Sequence, residues 1–391
     1  MFDEIPYDLS QEQILLRQVV RQMARTRLQP MVAEIDRTDA FPEEAVRHLR
    51  ELGLFALSVP ERFGGGGADV VTECVVVEEL AYAFPAAALT ICPGIVLAHI
   101  FEAAGDCPAR ETYSTRQAES GALVGICLTE PSAGSDSASI RTSARRVSGG
   151  WVLDGTKLYV TNGSVADFYC VFARTGTVAE RARGISGFIV DADTPGLRVG
   201  RIEDKMGIRG SKTAELVFDS VFVPDENLVG EVGQGFGYVM HSFDTSRPVI
   251  GVLALGIAAS ALDVAADHAA KREQFGRPIN EFQGVQFLLA DMAIAIQSAR
   301  TLVYEVARLA DRATPNLNPL AAMAKCYATD VAMKVTTDAV QVLGGAGYMR
   351  DFPVERMMRD AKIFQIFEGT NQVQRMIVGR HINRLFADGG R

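Results

Sequence analysis

Histidine is scarce, five in 391 residues, and none of the five stands at metal-ligand spacing, so no zinc site is expected. The six cysteines (Cys74, Cys92, Cys107, Cys127, Cys170 and Cys326) form no CxxC pair. They read as reduced, mostly buried thiols of a cytoplasmic protein. Positive charge is in deficit, with 39 Lys and Arg against 48 Asp and Glu and a formal net charge of −9. That removes any global attraction to nucleic acid or to an anionic membrane, and an anionic ligand must find a local basic pocket. The most apolar stretches, Ile91–Phe101 and Val249–Leu262, fall short of a bilayer span. The start, Met1-Phe2-Asp3-Glu4, is acidic where a signal or transit peptide is basic. No GxGxxG follows a strand pattern and no GxxxxGK[ST] occurs, which excludes the Rossmann and P-loop signatures. Gly64–Gly67 follows no strand and reads as a connecting loop. What is there is an ordinary globular balance, 48% hydrophobic and 22% charged, with length for two or three domains.

Three textures follow one another. Ser10 with Gln13 makes a capping box ahead of Leu15, Leu16, Val19, Val20 and Met23 at helical spacing. Pro42-Glu43-Glu44 opens a second helix, which Gly53 closes, and helical stretches follow over Val70–Ala83 and Gly94–Ala104. From Gly121 short β-rich runs appear: Val124–Leu128, Trp151–Leu153, Phe168–Ala173, Gly187–Val190 and Glu215–Val223. Gly149-Gly150 and Asp154-Gly155 read as turns between strands, giving an antiparallel, barrel-like β domain. The helical period returns near Gly233, with helices expected over Arg247–Arg272, Phe282–Asp311, Leu320–Leu343 and Asn371–Leu385. The expected architecture is therefore mainly α with a central β domain: residues 1–120 helical, 121–232 β, and 233–391 a helical bundle.

Three stretches could carry chemistry, and each has a structural reading beside the functional one. Leu128-Thr129-Glu130-Pro131-Ser132-Ala133-Gly134-Ser135-Asp136 is either a plain surface turn or a turn whose N–H and hydroxyl donors meet a ligand. Lys271-Arg272-Glu273-Gln274-Phe275 either offsets a helix dipole or presents Arg272 and Phe275 to an anionic, aromatic ligand, with Gln283, Gln341 and Gly344-Gly345 adding contacts. Phe367-Glu368-Gly369-Thr370-Asn371-Gln372 is either a helix cap or a base exposed at a tight turn.

Taken together and in order, Cys127–Asp136, Tyr159-Val160-Thr161-Asn162, Asp204–Ser211, Phe243–Pro248, Arg272–Arg277, Gln341–Gly347 and Arg359–Arg375 resemble the acyl-CoA dehydrogenase family. The resemblance covers nearly the whole chain and is weakest over its first hundred residues. It implies an N-terminal helical domain, a central β domain and a C-terminal four-helix bundle, with FAD held between the last two and completed by a homotetramer. On motif match, Ile126, Leu128, Thr129, Ser135, Tyr159 and Thr161 would line the flavin. Arg272, Phe275 and Gln283 would reach the FAD of a neighbouring subunit. Gln341, Gly344 and Gly345 would meet the adenosine-pyrophosphate part, and Thr370 and Gln372 would close the site.

The same resemblance makes Glu368 the base that removes the α proton of an acyl-CoA while a hydride leaves the β carbon for the flavin, yielding the trans-2-enoyl-CoA. Some members keep the base at the position matched here by Ser246, which cannot serve. Phe243, Asp244 and Arg247 would hold the CoA part, Ser135 the pantetheine, and Gly369 the tight turn beside the thioester. Pro248 directly after Arg247 reads as a first helical turn, an unfavourable place for a cation that serves only the helix. Thr90–Val96 would border the acyl tunnel, and the motifs look most like those of members acting on short, medium or branched acyl groups. Tyr159 departs from the Trp that many members carry. An electron-transferring flavoprotein is the implied acceptor. An oxidase, or a dehydrogenase acting on a carrier-protein-tethered acyl group, is the alternative.

Overall fold

In a computed structural model, residues 8–387 are described; the acidic start Met1–Glu4 lies outside them. Six α-helices come first: α1 (Gln11–Met23), α2 (Val32–Thr38), α3 (Glu43–Glu51), α4 (Val70–Ala83), α5 (Pro85–Ala104) and α6 (Pro108–Ser120). The Ser10 capping box forms as expected, and Gly53 takes φ 69° just beyond α3. Helix α5 begins nine residues before the expected Gly94, and Pro93 sits inside it. A proline there removes one intrahelical donor without ending a helix whose residues are buried nearly throughout.

The middle of the chain forms β1 (Val124–Cys127), β2 (Ser143–Val147), β3 (Gly150–Thr161), β4 (Phe168–Arg174), β5 (Ile185–Asp191), β6 (Leu197–Ile202), β7 (Thr213–Pro224) and β8 (Leu228–Val229). These make one open eight-stranded sheet in the order β6-β7-β3-β2-β4-β5-β8, with β1 beside β4. The barrel expectation is therefore corrected: the β6 and β8 ends do not meet. The antiparallel expectation holds for most neighbours, but β1 runs parallel to β4. Gly149 does turn the β2–β3 hairpin. Asp154-Gly155 is not a turn but a bulge inside β3, where the register against β7 shifts between Leu153 and Gly155. A second shift between Lys157 and Val160 accompanies a left-handed Tyr159, φ 56°. Bulges of this kind re-aim a side chain. Strands β2 and β6 escape the apolar pattern because their faces are largely solvated and hold four arginines between them.

The C-terminal part holds α7 (Gly235–Lys271), a hairpin of β9 (Glu273–Gln274) and β10 (Arg277–Pro278), α8 (Gln283–Asp311), α9 (Leu317–Leu343), α10 (Val354–Lys362) and α11 (Asn371–Ala387). Helix α7 starts twelve residues before the expected Arg247, and Pro248 lies inside it. Arg247 is thus in a helix interior and not in a first turn. Helices α4 and α7 share one apolar core that continues into α8 and α9. Their backbones approach so closely that a Cβ on Gly256 would come within 2.6 Å of Glu78 O. Helices α5, α7 and α8 are long and apolar enough to cross a membrane by length and composition, longer than the runs legible in the sequence. In α5 and α7 that apolar surface is spent on this core, 83% and 78% of the window being buried.

Candidate active site

The site is built on the short turn between α10 and α11. Glu368 takes φ 54° and Gly369 φ 84°, two consecutive left-handed residues of which only one is glycine. A non-glycine residue held there is strained, and such strain collects at functional turns. Glu368 is half-buried as a whole residue, yet its Oε2 is sealed from solvent and has no hydrogen-bond partner among the described residues. Burial pushes its carboxyl up to about 7, against the Arg247 and Lys325 cations that pull it down.

Three helices surround this carboxylate. Arg247, on α7, is 4% exposed, and its Nη1 donates to Asp244 Oδ1 at 2.6 Å while its Nε lacks an acceptor. Asp244 Oδ1 also accepts from Asn318 Nδ2 at 2.6 Å. Arg247 is therefore no solvated helix charge but a buried cation whose field reaches Glu368. Lys325, on α9, is fully buried and donates to Gly369 O at 2.9 Å and to Asn371 Oδ1 at 3.0 Å. On α5, Cys92 is buried and feels the Glu368 charge, which helps to push its thiol up. The whole of Thr90–Val96 is buried.

The structure brings together the stretches expected near a flavin. Leu158 N donates to Thr129 O at 2.8 Å, joining the Leu128–Asp136 turn to β3 beside Tyr159. Asn162, fully buried with φ 61°, donates from Nδ2 to Thr90 O at 2.9 Å and Val124 O at 3.0 Å. It thereby ties the end of β3 to both β1 and the segment carrying Cys92. Ile126, Leu128, Thr129 and Thr161 are half-buried; Ser135 and Tyr159 are exposed, Tyr159 to 63%. Thr370, half-buried, caps Val373 N with its Oγ1 at 3.2 Å, and Gln372 beside it is exposed. Phe243 is half-buried on α7.

The remaining expected residues are not brought to Glu368 in one chain. Arg272 lies twenty-five residues beyond Arg247, at the far end of α7, about 37 Å away at 1.5 Å per residue. Gln341 is sixteen residues on from Lys325 along α9, about 24 Å. Phe275 stands 95% exposed on the β9–β10 hairpin; Arg272, Gln283, Gln341, Gly344 and Gly345 are also exposed. A Cβ placed on Gly344 or Gly345 would meet nothing within 4 Å.

Sequence reasoning named Glu130 and Asn162 within its stretches without giving them a role, and passed over the buried polar residues Lys157, Lys325 and Gln374. For Lys325 the signal was a charge on an otherwise apolar helix face. Lys325 sits among Ala321, Ala322, Ala324 and Ala328, all of them buried.

With this geometry in place, the comparisons agree with one another. The chain matches the acyl-CoA dehydrogenase N-terminal domain over residues 10–120, the middle domain over 125–221 and the C-terminal domain over 233–383. It is 44% identical over 378 residues to cyclohexane-1-carbonyl-CoA dehydrogenase of Geobacter metallireducens, covering 96% of this chain and 98% of that one. Butyryl-CoA dehydrogenase from Megasphaera elsdenii superposes with a TM-score of 0.92 at 40% identity, covering 96% and 99% of the two chains. A chain solved in work on the electron-transferring flavoprotein of Acidaminococcus fermentans gives 0.93 at 42% identity, with the same coverage. Fold and site define an FAD-dependent oxidoreductase acting on acyl-CoA. The chain belongs to the acyl-CoA dehydrogenase family. The residues present fit FAD: Tyr159 offers an exposed aromatic ring, Thr161 a half-buried hydroxyl close by, and Glu368 a buried carboxylate oxygen with no partner among the described residues.

Proposed function

We propose that the chain catalyses α,β-dehydrogenation of an acyl-CoA thioester to the trans-2-enoyl-CoA, with Glu368 as the base. The observation that carries this is the carboxylate itself: strained into the left-handed region, with Oε2 buried and unpartnered, and raised to about 7. An ordinary glutamate is too weak a base for a carbon acid, and desolvation is what strengthens it. Glu368 takes the α proton, the Cα–H electron pair becomes the new double bond, and the hydride departs from Cβ. Bound FAD supplies the two-electron acceptor for that hydride. The Glu368 backbone N–H polarises the thioester carbonyl, in the manner of an oxyanion hole. Ile126, Leu128, Thr129, Ser135, Tyr159, Thr161, Thr370 and Gln372 hold the flavin end. Phe243, Asp244, Arg247 and Gly369 hold the thioester and its CoA, with Ser135 at the pantetheine.

Arg272, Phe275 and Gln283 reach the FAD of a neighbouring copy in a homotetramer, and Gln341, Gly344 and Gly345 meet the adenosine-pyrophosphate part. The separation of Arg272 from Arg247 and Glu368, about 37 Å along α7, supports the neighbouring-copy role. An electron-transferring flavoprotein takes the electrons onward. The acyl group is short, medium or branched. Support comes from relatives whose names specify butyryl-CoA and cyclohexane-1-carbonyl-CoA.

The test is anaerobic mixing of the holoenzyme with butyryl-CoA and a panel of straight and branched acyl-CoAs, followed by flavin absorbance. Glu368→Gln should retain FAD and lose at least about a hundredfold in the rate of flavin reduction. Near-normal bleaching by that variant removes Glu368 from its role.

A further inference from the structure

We propose that Lys325 is a positioning residue for Glu368: a buried ammonium on α9 that bolts the strained Glu368–Gly369 turn in place and gives the carboxylate a fixed counter-charge. The proposal rests on the reading of Glu368 as the base. Lys325 is fully buried, yet its hydrogen-bond acceptors, Gly369 O at 2.9 Å and Asn371 Oδ1 at 3.0 Å, are both uncharged. A buried ammonium without a direct carboxylate partner is costly, and a methionine of similar length would fill the space without that cost. Packing alone therefore gives no reason for the charge. The geometry does give one. Gly369 O belongs to the second of two consecutive left-handed residues, and the first is Glu368.

Two further side chains close the same turn. Gln374, fully buried, donates from Nε2 to Glu368 O at 3.1 Å and Gly369 O at 2.9 Å. Asn371 Nδ2 donates to Asp330 Oδ1 at 2.7 Å, fastening the start of α11 to α9. Of the three side chains that reach this turn, Lys325, Gln374 and Asn371, Lys325 alone carries charge. The charged and titratable groups facing Glu368 are Arg247 from α7, Lys325 from α9 and Cys92 from α5. Lys325 in turn feels Glu368, Cys326, Arg247 and Asp330, and burial pulls its ammonium down to about 8. It is thus mainly cationic at neutral pH, where Glu368 titrates.

Two variants of the full-length holoenzyme separate the bolt from the charge. Lys325→Gln keeps an N–H donor for Gly369 O and drops the charge; Lys325→Met drops both. In both, the pH at which flavin reduction by butyryl-CoA reaches half its plateau should move upward by about one unit or more. Amide exchange at residues 369–371, measured on flavin-free protein, should accelerate at least about tenfold in Lys325→Met and remain near wild type in Lys325→Gln. An unshifted pH profile in Lys325→Gln overturns the proposal, because a merely structural lysine leaves that midpoint where it was. Wild-type protein provides a reading that depends on no variant. The Glu368 carboxyl carbon, assigned by its loss in Glu368→Gln and followed by NMR without flavin, should show a second inflection as Lys325 loses its proton near 8. A single inflection overturns the proposal. Should Glu368→Gln reduce flavin normally, the base reading fails and takes this proposal with it. An inactive Glu368→Gln beside an unshifted Lys325→Gln sinks the proposal alone.

Discussion

Lys157 Nζ donates to Glu130 Oε1 at 2.7 Å, and both side chains are buried. Lys157 also donates to Leu128 O at 3.1 Å, and Glu130 accepts from Arg141 N at 2.6 Å and Thr142 N at 2.9 Å. The pair therefore fixes the Leu128–Asp136 turn to β3 two residues before Tyr159. Burial would raise the Glu130 carboxyl, but Lys157 and the backbone donors outweigh it and hold it below the ordinary glutamate range.

Breaking that pair should be far costlier than removing it. Lys157→Met leaves a buried carboxylate uncompensated and should destabilise the protein by about 3–5 kcal/mol in denaturant unfolding. Lys157→Met with Glu130→Leu should recover much of that loss. If the double variant is no more stable than the single one, the pair does not act as a unit.

The pH dependence of catalysis should follow Glu368. As the proposed base it must be ionised to take a proton, and burial raises its carboxyl to about 7. The rate of flavin reduction measured as kcat/KM should therefore rise as pH increases through 7 and level off above it. A profile flat from pH 5.5 to 8.5 would contradict a base raised by desolvation.

Asp360 is buried on α10 and accepts from Ile208 N at 2.5 Å, where Ile208 is held at φ 51°. Burial raises its carboxyl from 3.8 to about 6. A raised carboxyl favours the folded state fully below 3.8, and that contribution is lost as pH rises through 6. Asp360→Asn keeps an oxygen acceptor for Ile208 N and removes the buried charge. It should therefore gain about 1–3 kcal/mol over wild type at pH 7.5 and much less at pH 4. Unfolding curves at the two pH values check this.

Arg272 ends α7 and is exposed in the single chain. Arg272→Ala should fold with unchanged helix content, lose FAD on dialysis and weaken the proposed homotetramer. Full flavin occupancy after dialysis would place the pyrophosphate elsewhere.

Much of the fold was legible because apolar spacing is a local property. The Ser10–Gln13 capping box, the Phe168–Ala173 strand and the end of α9 at Gly344 could each be read from a few neighbouring residues. Local signals also misled. Pro248 marked a helix start, and the start of α5 was placed at Gly94, only because tertiary burial, which carries α7 and α5 through Pro248 and Pro93, cannot be read in a short window. Strand β6, exposed on most of its length, had no apolar face to announce it. Candidate residues such as Glu368 and Arg247 were found by their motifs. The buried support of Glu368, Lys325, was not, since a lysine reads as solvated until its neighbours are known.

The sequence by itself determined the order of helices, sheet and helices, and the stretches that mark an acyl-CoA dehydrogenase. Only the tertiary structure brought Arg247, Lys325 and Glu368 together from three distant parts of the chain. Only it removed water from the Glu368 carboxyl and opened the β sheet that had looked like a barrel. The physical reason is range. Periodicity and capping act over a turn or two of helix, whereas desolvation and the fields of buried charges depend on what long-range packing places within a few ångströms.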